Sequence, residues 1–140
     1  MQYNKIMCLD YGDARIGIAF SDFLQITSNP YETYHTVCEE KDLEYLSNLA
    51  HNNNVNTIVI GMPYSLDGQE NDRTQITRSF GKKLEDYSKI KVVYEDERLT
   101  SHEADEILKR SKVAPKDRKN ILDMLSAAII LESYLNNKGR

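Results

Sequence analysis

The chain has 140 residues, 40% hydrophobic and 29% charged, a length and balance that suit one domain over 1–140 with one sizeable core. Its net charge of −4 excludes a globally basic nucleic-acid coat and leaves room for a local basic patch. No stretch approaches the roughly 20 apolar residues of a membrane span, and residues 1–9 lack the apolar run of a secretory leader, so a cytoplasmic protein with no membrane partner is expected.

"NKIMCLDY" is short, apolar and strand-like, and "YGDA" follows as a turn built on Gly12 and Asp13. "RIGIAFS" alternates and reads as a second strand, hairpinned to the first; after "TSNP", the Thr- and Tyr-rich "YETYHTV" reads as a third. In "KDLEYLSNLAHNN", Leu43, Leu46, Leu49 and Ala50 share a helical face that "NNNVN" terminates. "TIVIG" is β-branched without polar alternation, the mark of a strand buried on both faces. A loop, "MPYSLDGQE", leads to a helix from Asn71 with a stripe of Ile76, Phe80, Leu84 and Tyr87. "KVVYE" is a further strand. Thr100 and Glu103 form a capping box for the next helix, "RSKVAPKDRK" is a basic loop, and a last helix runs from about Lys119 to Asn136. The order β-β-β-α-β-α-β-α-α predicts a mixed five-stranded sheet, three antiparallel strands and then parallel ones, flanked by helices. This is the element order of the ribonuclease H-like fold. Cys8 and Cys38 fit no metal spacing and read as free buried thiols.

The chemistry concentrates in carboxylates. Sites in parallel α/β sheets lie at the carboxyl ends of strands. Asp10 sits near the end of the first strand, and Glu95, Asp96 and Glu97 leave the last one, with Glu95 and Glu97 on one face. In the final helix Asp123 stacks with Ala127, Ile130 and Tyr134, and Ala127 and Ala128 are small enough to let that helix approach the sheet. Three carboxylates converging from separate elements repel one another unless a cation lies between them. Hard oxygen ligands suit Mg²⁺ or Mn²⁺, and two such ions suit phosphodiester hydrolysis. The competing reading is plain electrostatics, with each acid a solvated strand end or the partner of Arg15 or Arg98.

Four blocks in order, "LDYGDARIGIAFSD", "VIGMPYSLDGQENDRTQITRSF", "DERLTSHEA" and "LDMLSAAIILESYL", resemble the YqgF family over nearly the whole chain. Its members are ribonuclease H-like proteins described as Holliday junction resolvases and as nucleases for the 5′ end of pre-16S ribosomal RNA. The resemblance implies that Asp10, Glu97 and Asp123 are the catalytic, metal-binding carboxylates. It also carries the arginines after the family's "DG" loop onto Arg73 and Arg78. The sequence departs from the pattern at Cys8, where a glycine is usual. It departs again at Gly12-Asp13-Ala14-Arg15, where Gly-Thr-Lys-Arg is usual, so a lysine is lost and an acid gained beside the site.

The remaining candidates are cationic. Lys112, Lys116 and Arg118 belong to a run with a single acid, Asp117, which is either a solvated loop or a backbone clamp for nucleic acid. With Arg15, Arg73 and Arg78 they form the expected nucleic-acid contacts; Arg73 could instead pair with Asp72 or Glu70. Tyr11 and Tyr64 could stack on bases or simply pack. Three functions follow: a metal-dependent hydrolase acting on structured RNA, with branched DNA as the alternative substrate; a nucleotide-binding phosphotransferase; and a non-catalytic RNA-binding protein of the same fold. The phosphotransferase would need a second such domain, for which 140 residues leave no room. Symmetric cutting of a junction favours a homodimer, whereas trimming an RNA end needs only a monomer.

Overall fold

The computed structural model describes residues 3–98, 100–110 and 118–138. Five strands, β1 (Lys5–Tyr11), β2 (Arg15–Ser21), β3 (Ser28–His35), β4 (Val55–Met62) and β5 (Lys91–Asp96), and four helices, α1 (Glu39–Asn52), α2 (Asp72–Ser88), α3 (Thr100–Arg110) and α4 (Arg118–Lys138), follow one another in the expected β-β-β-α-β-α-β-α-α order. They form one sheet in the order β3-β2-β1-β4-β5. The β1–β2 and β2–β3 pairs are antiparallel, and the β1–β4 and β4–β5 pairs are parallel.

Alternation along β1 divides the core. Met7 and Leu9 face a cluster with Ile18, Ile60, Leu46, Phe80 and Leu84, which α1 and α2 close. Ile6 and Cys8 face the other way, against Ala19, Val59, Ala127, Ile130 and Leu131, where α4 lies across the sheet. Each large apolar side chain so buried contributes on the order of 1.5–3 kcal/mol. β4 is apolar on both faces because both are covered.

Local chemistry sets the ends. Asn71 caps α2 by accepting from the Thr74 N–H, and Thr74 returns the contact to the Asn71 N–H. Lys89, in the left-handed conformation at φ 63°, ends the helix with its N–H on the Glu85 carbonyl. Asp42 is buried in the first turn of α1 and accepts from the Val37 N–H at 2.9 Å and the Tyr34 hydroxyl at 2.8 Å.

Several details differ from the sequence reading. β3 begins earlier than expected and includes Pro30, which an edge strand tolerates at an irregularity in its pairing with β2. The buried face of α2 is Thr74, Thr77, Phe80, Gly81 and Leu84, whereas Ile76 and Tyr87 are exposed. The Tyr94 ring lies over Gly81, so a small residue, not a large apolar one, faces the sheet there. Cys38 is exposed at the start of α1; only Cys8 is buried. The Thr100 side chain, half of the expected capping box, lies outside the described residues, although α3 does start at Thr100. No helix among the described residues is long and apolar enough to cross a membrane.

Candidate active site

Asp10 is the penultimate residue of β1 and shares the α4-facing side with Ile6 and Cys8. Its neighbour on β2 is Gly17, and on β4 the strand has just passed Ile60, the partner of Leu9. Glu97 leaves β5 with its N–H on the Met62 carbonyl at 3.1 Å, which turns its side chain back over β4. The space it enters exists because residue 61 is glycine: a Cβ there would stand 2.9 Å from Glu97 Oε2 and 2.6 Å from Ile130 Cδ1.

The Asp10 and Glu97 carboxyls share a hydrogen bond. Burial drives both upward. Asp10 rises to about 6, with the Asp123 charge adding to the effect and Arg73 opposing it. Glu97 rises to about 9, pushed further by the Asp10 charge and by donating into the shared bond. The two carboxyls therefore titrate as a unit, and the pair keeps a proton above the ordinary carboxylate range.

Asp123 arrives from the second turn of α4. The helix sits so close to β2 that a Cβ on Gly17 would stand 1.9 Å from the Asp123 carbonyl oxygen. Its carboxylate does not join the pair directly: Arg15 Nε donates to Asp123 Oδ2 at 2.5 Å. The expected triad is thus an acid–acid pair with a third carboxylate nearby, tied to a cation. Among the described residues no group of three His, Cys, Asp or Glu side chains is arranged to hold a metal ion.

Arg73 is the other cation felt by both members of the pair. It pairs with neither Asp72 nor Glu70: Nη1 donates to Asp13 Oδ1 at 2.9 Å, and Nη2 reaches toward the Tyr11 carbonyl at 3.4 Å. Arg78, one and a half turns further along α2, is taken by Glu70 at 2.6 Å and by the Tyr64 hydroxyl at 3.1 Å. Arg98 pairs with Asp96, and Glu95 accepts from Ser133 and Asn137 of α4. Tyr11 stacks on Phe80, with ring centroids 4.3 Å apart. Arg118 opens α4; Lys112 and Lys116 lie outside the described residues. Two contacts were not expected from the sequence: the opening Gly61 leaves for Glu97 and the pairing of Arg73 with Asp13. The glycine ending "TIVIG" was the available signal for the Glu97 seat, and the acid at position 13 was the signal for the Arg73 pair.

Comparison with known proteins bears on this geometry. The model of the RuvX family, described as Holliday junction resolvase, matches residues 4–137. A protein of Endomicrobium trichonymphae named "Putative pre-16S rRNA nuclease" is 39% identical over 134 residues, covering 95% of this chain and 96% of its own. Proteins of the same name from Halothermothrix orenii and Carboxydothermus hydrogenoformans are 39% and 34% identical over 136 residues, covering 97% of this chain and 97% and 99% of their own. Among solved structures, Thermus thermophilus RuvC in complex with a Holliday junction substrate is similar at a TM-score of 0.62 and 11% identity, covering 97% of this chain and 96% of that one. A fowlpox virus resolvase with junction DNA gives 0.61 at 12% identity, covering 97% and 99%. These structural likenesses bear out the ribonuclease H-like fold expected from the element order.

Proposed function

Since the chain belongs to the RuvX family of Holliday junction resolvases, we propose that it is a divalent-metal-dependent nuclease that hydrolyses phosphodiester bonds in nucleic acid, with the 5′ end of pre-16S rRNA as its substrate in the cytoplasm. The observation that carries this reading is the Asp10–Glu97 pair: two buried carboxyls brought together at the carboxyl end of β1, both held above the ordinary carboxylate range by that burial. Such a pair is costly in a protein that uses it only for stability. The donor set is all carboxylate oxygen, which fits Mg²⁺ or Mn²⁺; such an ion needs only one or two carboxylates, with water and phosphate oxygens completing its shell. Asp10 and Glu97 would hold it, and Asp123 would join them once parted from Arg15. The bound ions, two with substrate present, would supply an activated water and stabilise the leaving oxygen.

The chain's own groups supply the rest. Gly61 keeps the Glu97 seat open, and the α4–β2 contact at Gly17 fixes where Asp123 stands. Arg15, Arg73 and Arg78 would position backbone phosphates, and Lys112, Lys116 and Arg118 would extend that track. Nothing in this set reads base edges, so shape selects the substrate. Branched DNA is the alternative substrate, on the strength of the family's description. The deciding experiment incubates the purified protein and Mn²⁺ with a labelled pre-16S 5′-leader fragment and, separately, with a four-way DNA junction. Cleavage of the RNA alone is expected. Cleavage of the junction alone, by a dimer in sedimentation, would replace RNA by DNA. Cleavage of neither would leave the non-catalytic binding protein.

A further inference from the structure

We propose that Asp13 occupies, in the free protein, the seat on Arg73 that a substrate phosphate takes, so that nucleic acid must displace an internal carboxylate to reach that arginine; the inference rests on the nuclease reading above. Arg73 stands in the first turn of α2 and acts electrostatically on both Asp10 and Glu97. Its guanidinium is therefore well placed to bring a phosphate to the pair. The contact with Asp13 is a single charge-assisted bond of 2.9 Å, the kind a phosphate oxygen makes with arginine. The acid lies on the solvent side, its side chain 82% exposed against 40% for Arg73. A strand approaching from solvent meets the carboxylate before the guanidinium.

The turn that presents Asp13 is held from both ends. Gly12 N–H donates to the Arg15 carbonyl at 3.0 Å, and Thr36 donates through its N–H to the Ala14 carbonyl and through its hydroxyl to the Asp13 carbonyl, each at 3.0 Å. The backbone of Asp13 is thus pinned beside Arg73 by groups that the substrate need not disturb. An ion pair this exposed is weak, so it is displaceable and sets a threshold, not a block. The threshold favours substrates that bring several phosphates to the site at once.

The test is a double-mutant cycle on binding, read by fluorescence anisotropy in EDTA with the labelled 5′-leader RNA and with the four-way DNA junction. At about 0.1 M salt Asp13→Asn should bind roughly fivefold more tightly than the parent, because one competing anion and its repulsion of phosphate are both removed. Asp13→Ser should do the same. In an Arg73→Gln background the Asp13→Asn gain should shrink below about twofold, since the contested seat is gone. An equal gain in both backgrounds would show only a general charge effect and overturn the proposal, as would no gain at all. Tighter binding by Asp13→Asn with no cleavage by any variant in Mn²⁺ would leave the seat standing and refute the nuclease. Cleavage without the gain would do the reverse. Absence of binding by parent and variants alike would overturn both.

Discussion

Replacing Gly17 by alanine tests how the site is held together. The added Cβ would stand 1.9 Å from the Asp123 carbonyl oxygen, 2.3 Å from its carbonyl carbon and 3.0 Å from the Met124 nitrogen. All three are backbone atoms of α4, so no rotamer relieves the clash. Ordinary contact begins near 3.4 Å, and α4 must retreat by roughly 1.5 Å at this point. That retreat loosens Ala127, Ile130 and Leu131 from Ile6, Cys8 and Val59. Overpacking a well-filled core costs about 1–3 kcal/mol, and a backbone clash belongs at the upper end. It also draws Asp123 away from Asp10. Urea unfolding should show a loss of about 3 kcal/mol with an unchanged slope, and cleavage should fall with it. A loss below about 0.5 kcal/mol would refute the seating of α4 on β2 described here.

Gly61→Ala should behave differently. Its Cβ would meet the ends of flexible side chains, Ile130 Cδ1 and the Glu97 carboxyl, so stability should fall by less than about 1.5 kcal/mol while Mn²⁺ affinity, read by calorimetry, falls at least tenfold. The acid pair also predicts a pH dependence. Asp10 rises from 3.8 to about 6 and Glu97 from 4.5 to about 9, so the native state binds more protons than the unfolded one between about pH 4 and 9. The stability these groups contribute is full below pH 4 and is lost as pH rises through that window. In EDTA, Asp10→Asn should melt like the parent at pH 4 and be more stable by roughly 2–3 kcal/mol at pH 8; equal melts at pH 8 would refute the pair. Changing Lys112, Lys116 and Arg118 together to alanine should lower the salt slope of nucleic-acid binding by about three, and an unaltered slope would make that stretch merely solvated.

The parts of this architecture that were legible in the sequence share one trait: their signals are local. The unbroken apolar run of "TIVIG" required a strand covered on both faces, and β4 is that strand. Asp10 and Glu97 could be read as acids leaving strand ends because strand direction alone brings such residues to one edge of the sheet. Asp123 could be placed on the sheet-facing stripe of its helix through Ala127 and Ile130, both buried. Arg15 was one of two arginines expected as a partner for these acids, but that it meets Asp123, 108 residues away, depends on α4 closing onto Gly17, which no periodicity records. The face of α2 was misread for a related reason. Apolar spacing marks large residues, whereas Thr74 and Thr77 are buried with their hydroxyls on the Asn71 and Arg73 carbonyls, and Gly81 lies under the Tyr94 ring. Arg73 and Arg78 were placed on the right helix, but their partners came from the β1–β2 turn and the loop before α2.

Under the proposed function, Asp10 and Glu97 are a divalent-ion site whose carboxyls keep a proton when no ion is bound. Ligating carboxylates must be deprotonated, so ion binding at neutral pH has to expel the shared proton. Calorimetric titration of Mn²⁺ into the protein at pH 7, in two buffers of different ionisation enthalpy, measures that proton directly. Release of about one proton per ion bound is expected from the parent, and weak binding with no release from Glu97→Gln. Ion binding by the parent without proton release, or the same release from the Glu97→Gln variant, would contradict it.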